Sequence, residues 1–357
     1  MIVACGDDEK SSTADTGPSG DTASDTTPAG DTGGDTAADT TPGDVTPSKT
    51  VTLVFDEGGP DDASFNYTAN QGLTRAEAEL TGVTAVRLDY FADGLTREEA
   101  FEQAAESSQL VIGVGFSFAE TAAAIAPDYP DVHFAILDGE GDELDNVSYH
   151  LYAANEGSFL VGAAAALVTK SKKIGFIGGL KIPLIDAFEA GFRAGVAHIA
   201  ADAVVDTVHV AEDFSGFGNP EKAKEDALRM YGAGDDVIYH AAGLSGMGLF
   251  EAAADFSEAG DDVWAIGVDT DQYLVVEPAQ QPYILTSMLK RIDVTVFNLA
   301  SALAGGDAFP TGYVVGGLKE GLVGYATSGG HLDDIAAQLE ALAADIEDGT
   351  ITVPSEL

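Results

Sequence analysis

From residue 50 onward, short apolar runs alternate with segments of helical length. TVTLVFD at 50–56 predicts a buried strand, 65–81 a helix, 84–90 a strand, 95–107 a helix, QLVIG at 109–113 a strand, 118–126 a short helix and VHFAIL at 132–137 a strand. The alternation resumes with helix 156–170, strand 173–178, helix 184–201, strand 203–210, helix 219–232, strand 236–241, helix 246–259 and strand 262–268. Repetition of this kind builds mostly parallel sheets with helices on their faces. The units are too many for one compact sheet, and a boundary falls near 150–158. The expected fold class is α/β, with two doubly wound lobes. Ligands of such sheets sit outside the carboxyl ends of the strands. Two lobes facing each other therefore make a cleft that can close on a small molecule.

The residues following each strand are thus the candidate cleft residues. They read Asp56 to Asn66, Gly113 to Phe116, Asp138-Gly139, Gly178-Gly179, Asp213 to Pro220, Gly243 to Gly248 and Asp269 to Gln272. Carboxylates accept from hydroxyls, Asn both donates and accepts, Phe covers a flat or apolar group, and Gly lets the backbone come close. Plainer roles fit some of them. Asp61, Asp62 and Ser64 also suit the capping of a helix that begins near Phe65. Gly243 to Gly248 lacks the Lys-Ser/Thr of a phosphate loop. Asp269 and Asp271 have no His or third acid at ligand spacing, and the six His are scattered along the chain. No metal, cofactor or catalytic group is expected.

The chain carries 16 Lys and Arg against 60 Asp and Glu, a formal net charge of −44. That balance excludes nucleic acid, whose affinity comes from Lys and Arg on phosphates, and an anionic lipid surface as direct partner. The single cysteine, Cys5, leaves no intrachain disulfide and no multi-cysteine zinc site. Residues 6–49 consist almost wholly of Asp, Thr, Gly, Ala, Ser and Pro, with no aromatic residue, and read as a disordered acidic linker. Before it, Met1-Ile2-Val3-Ala4-Cys5-Gly6 reads as the end of a lipoprotein signal within residues 1–5, with Cys5 as the lipidated residue. The expected location is extracytoplasmic, periplasmic or at the cell surface, with the membrane reached through a lipid anchor.

Asp61-Asp62-Ala63-Ser64-Phe65-Asn66 resembles the DDxSFN signature of the basic membrane protein family, substrate-binding lipoproteins of ABC importers whose characterised members bind purine nucleosides. Similar blocks follow in family order: Phe134 to Asp138, Asn155 to Gly162, Phe188 to Phe192, Phe217 to Pro220, Ile266 to Gln272 and Thr286 to Arg291. The resemblance spans about residues 50–325 and implies a type I periplasmic-binding-protein fold, two Rossmann-like doubly wound lobes joined by a multi-strand hinge. It implies a first lobe from 50–154 plus about 275–310, and a second from 155–274 plus about 311–357. It also implies a purine stacked between Phe65 and Phe217, with Phe214 as the alternative second ring. Asp56, Ser64 and Asn66 would lie at the base edge, and Asp138 would be a pocket acid. Asp269 would accept from ribose hydroxyls, Lys290 would contact the sugar side, and Gly243 and Gly246 would line the backbone wall. The partners implied are a purine nucleoside and ABC permease subunits. Ala63 stands where the signature usually has Lys, and the turn from Gly243 to Gly248 is less polar than the family's. A same-fold receptor for a sugar or another small polar ligand, and an enzyme that cleaves nucleosides, are the competing readings.

Overall fold

The computed structural model describes residues 48–258, 260 and 262–357. The readings placed on Cys5 and on nearly all of the linker lie outside those residues. Along the chain come β1 (Lys49–Phe55), α1 (Phe65–Glu79), β2 (Val83–Asp89), α2 (Tyr90–Asp93), α3 (Arg97–Ser107), β3 (Leu110–Val114), α4 (Ala119–Ile125), β4 (His133–Leu137) and β5 (Val147–Tyr152). Then follow α5 (Ala154–Val168), β6 (Lys173–Gly178), α6 (Pro183–Ile199), β7 (Val204–His209), α7 (Pro220–Ala233), β8 (Val237–Ala241), α8 (Met247–Glu258) and β9 (Trp264–Asp269). The chain ends through β10 (Ile284–Lys290), α9 (Ile292–Gly305), β11 (Gly312–Gly316), β12 (Val323–Tyr325) and α10 (Ala336–Glu347).

Two six-stranded sheets result, ordered β11-β5-β4-β3-β1-β2 and β12-β10-β9-β8-β6-β7. Every pairing is parallel except that of β12 with β10. β3, β4 and β8 are buried along their whole length, as strands covered on both faces must be. Local chemistry sets the helix starts. Thr96 and Glu99 form a reciprocal capping box on α3, and Asn219 caps α7 ahead of Pro220. In the second lobe, α5 and α6 approach unusually closely. A Cβ on Gly195 would stand 2.0 Å from the Phe159 carbonyl oxygen, and one on Gly191 2.1 Å from that of Asn155.

The structure departs from the sequence expectations in two places. β5 was not anticipated, because its inward positions include Ser148 and His150 and interrupt the apolar run. Their polarity is satisfied internally, with Ser148 Oγ 3.0 Å from Nε2 of both His133 and His150. The lobe boundaries in the last third also differ. β10, expected in the first lobe, pairs with β9 and β12 in the second sheet, and β11, expected in the second, pairs with β5 in the first. α9 packs on α1, so the chain crosses between lobes after β5, after β10 and again between β11 and β12. Strand pairing decides sheet membership, and a lone apolar run carries no mark of its neighbour.

Candidate functional site

The carboxyl ends of both sheets border a cleft enclosing about 710 Å³ of space open to solvent. Phe65 at the start of α1, Phe116 after β3, Phe188 on α6, and Phe214 and Phe217 between β7 and α7 supply its aromatic lining. Leu184, Ile185 and Leu244 extend the apolar part. The volume and the mostly apolar lining with a few polar groups suit a small organic ligand.

Polar chemistry concentrates at three buried side chains. Asp138 directly follows β4 and Asp269 ends β9, and both hold a positive φ, 57° and 66°. Asp is among the few residues that tolerate this region. Lys290, 1 % exposed at the end of β10, donates from Nζ to Asp138 Oδ2 at 2.5 Å. Ser64 Oγ donates to Asp269 Oδ2 at 2.6 Å. Both bonds join one lobe to the other. The Lys290 ammonium also lies 4.6 Å from the centroid of the Phe188 ring and 5.4 Å from that of Phe65, at cation–π distance. Burial pushes the Asp269 carboxyl up to about 6, against the pull of the Lys290 ammonium. Asp138 is raised by burial in the same way, with Lys290 opposing. Asp138 Oδ1 is buried without a hydrogen-bond partner, an acceptor open to a ligand donor.

At the mouth, Asp56 is a hub. It accepts from Tyr90 Oη and an Arg97 guanidinium nitrogen, each at 3.3 Å, and from Ser117 Oγ. The Arg97 guanidinium lies 5.5 Å from the Phe214 ring, and Phe214 stacks on Phe116 with centroids 5.6 Å apart. Phe116 and Phe214 belong to opposite lobes, so this pair spans the cleft.

Of the residues expected from sequence, Asp56, Phe65, Asn66, Asp138, Phe217, Gly243, Asp269 and Lys290 all line the cleft. Ser64 is fully buried behind it and acts through Asp269. Gly246 does not reach the cleft: a Cβ there would stand 1.9 Å from the His240 ring, so its small size serves the packing of that imidazole. Asn66 turns its amide to the preceding loop, accepting from the Asp56 N–H at 3.3 Å and donating to the Glu57 carbonyl at 3.2 Å and to Asp62 Oδ2 at 3.1 Å. Asp62 has the capping role, accepting from the backbone N–H groups of Ser64, Asn66 and Tyr67. Phe116 lies in the stretch Gly113 to Phe116 expected at the cleft, whereas Phe188 was not expected to line it. Phe188 sits in an apolar helical run that reads as core. Gln272, within the expected stretch Asp269 to Gln272, does not line the cleft but ties the lobes together. Its side-chain N–H donates to the Ala63 carbonyl across the lobes at 3.0 Å while its oxygen accepts from Val268 N–H at 2.8 Å.

Residues 49–356 match the family described as ABC transporter substrate-binding protein, PnrA-like. The chain is 37 % identical over 332 residues to a CD4+ T-cell-stimulating antigen of Listeria innocua, covering 88 % of this chain and 91 % of that protein. It is 34 % identical over 330 residues to the ABC transporter nucleoside-binding protein BmpA of Lactococcus lactis subsp. cremoris, with the same coverage, 88 % and 91 %. Among solved structures, an ABC transporter system solute-binding protein from Aeropyrum pernix K1 superposes with a TM-score of 0.73 at 27 % identity, over 86 % of this chain and 93 % of that one.

Proposed function

Because the chain belongs to the PnrA-like family of ABC transporter substrate-binding proteins, we propose that it captures a purine nucleoside between its lobes and presents it to the permease. The observation that carries this reading is the pairing of an aromatic lining with buried carboxylates. A purine is flat and apolar on its faces, and its ribose offers hydroxyl donors. Phe65 and Phe217 would cover the base, with stacking worth about 1–3 kcal/mol for each aromatic ring removed. Asp269 would accept from the ribose hydroxyls, and Lys290 and the open Asp138 Oδ1 would meet further polar groups of the ligand. Asp56, tied to Arg97 and Tyr90, would shape the base end of the cleft. The relative named as a nucleoside-binding protein supports the same ligand class.

On this reading the protein is an extracytoplasmic receptor without catalytic turnover, held at the membrane through Cys5. Calorimetric titration of the full chain, freed of co-purified ligand, with adenosine, guanosine, inosine, ribose and free base tests it. Tight 1:1 binding of one or more nucleosides, with no release of free base on long incubation, is the expected result. Binding of sugars alone would overturn the nucleoside assignment, and base release at enzyme-like rates would overturn the receptor assignment.

A further inference from the structure

A second cluster involves α6 residues that are not among those lining the cleft. Oxygens of Asp186 and Glu189 and a ring nitrogen of His209 all fall within 4.8 Å of one another. Asp186 and Glu189 are one helical turn apart. His209 is the last residue of β7 and is placed beside Gly178 by the pairing of β6 with β7. A Cβ on Gly178 would stand 2.8 Å from His209 Cδ2 and 3.0 Å from Nε2, so the glycine leaves the imidazole its room.

Unsatisfied polar atoms mark the cluster as more than packing. Asp186 Oδ1 and His209 Nε2 are both shut off from solvent and have no hydrogen-bond partner. Such atoms are uncommon in folded proteins unless an ion or water completes them. Glu189 is 4 % exposed and held in place: its Oε1 accepts from Arg193 Nε at 2.7 Å and from Thr207 Oγ1 at 2.6 Å. Outer hydrogen bonds of this kind fix the orientation of metal ligands.

We propose that Asp186, Glu189 and His209 bind a first-row divalent transition cation, with the remaining coordination open to water. One imidazole nitrogen with two carboxylate oxygens suits zinc and its neighbours, whereas calcium and magnesium favour oxygen ligands throughout. The bound ion would pin the first turns of α6 to the end of the edge strand β7. The Arg193 guanidinium offsets part of the negative charge, so the affinity should be moderate. This inference is independent of which ligand the cleft takes.

The test uses the untagged full chain, stripped with a chelator and titrated with Zn2+ by calorimetry in excess Mg2+ and high salt. One Zn2+ per chain, and visible absorption bands of low-symmetry Co2+ with Co2+ as probe, are expected. Asp186→Asn and His209→Gln should each weaken Zn2+ binding by about tenfold or more, since loss of even an outer-shell partner costs that much. Zn2+ binding unchanged in both variants, or displaced by Mg2+, would assign the ions to the exposed acidic surface and overturn the site. Should His209→Gln fail to fold, Asp186→Asn at a partly exposed position carries the same test.

Discussion

Asp269 concentrates the cost of the cleft in one residue. A carboxyl raised to about 6 from its ordinary value near 4 is favoured by the fold in its protonated form. Ionised at neutral pH, it costs the native state roughly 3 kcal/mol, so this residue lowers stability as pH rises from about 4 to 6. A ligand hydroxyl that donates to the carboxylate recovers part of that cost and favours the ionised form. Nucleoside affinity is therefore expected to be level above about pH 7 and to fall about tenfold per pH unit below 6, as calorimetry over that range would show. Asp269→Asn should flatten this dependence and weaken binding by about 10- to 100-fold, the worth of a charge-assisted hydrogen bond. Phe65→Ala should weaken binding by a loss of about 1–3 kcal/mol with little change in unfolding midpoint, its ring being only partly buried. Equal affinity in both variants and the parent would remove the cleft assignment. Asp138 and Asp269 were legible in the sequence because each ends or follows a strand whose apolar run is unmistakable, whereas Lys290 was reached only through the family resemblance. The ion pair between Asp138 and Lys290 was not legible, since it depends on which sheet β10 joins.

At the scale of elements, the contact of α5 with α6 carries both stability and site. α6 lends Leu184, Ile185 and Phe188 to the cleft near its start, while farther along the helix Gly191 and Gly195 let it lie against α5. Gly195→Ala would drive a methyl group into the Phe159 carbonyl. The expected loss is about 1–3 kcal/mol by urea unfolding, as for overpacking elsewhere, together with weaker ligand binding because the cleft wall shifts with the helix. Unchanged stability would show that the two helices can separate freely. Helix starts were readable where chemistry is local: Thr96 with Glu99, and Asn219 with Pro220, announce α3 and α7 by themselves. β5 was hidden because its buried Ser148 and His150 are satisfied by a neighbouring strand, a circumstance no local window contains.

For the molecule as a whole, the net charge of −44 means self-repulsion that salt relieves. The melting temperature should rise with NaCl toward about 1 M, where screening acts within ~3 Å. A flat response would mean that the repulsion is already compensated by local ion pairs. Acid should act in the opposite sense from its effect on Asp269. Burial holds His133, His150 and His240 at about 4, below their ordinary 6.5. The unfolded chain binds more protons than the folded one between those values, so stability is lost as pH falls from about 6.5 to 4, by up to ~3 kcal/mol for each ring. Denaturant titrations across that range should show the decline. The threefold passage of the chain between lobes has a further consequence, in the order of synthesis. The edge strand of the first sheet, β11, lies beyond every strand of the second sheet except β12, and β10 reaches its neighbours only after β9 has emerged. A nascent chain thus holds two sheets with open edges until its last portion is made, and neither lobe can be cut out as a continuous segment. The two sheets are completed together, by the same late stretch of polypeptide.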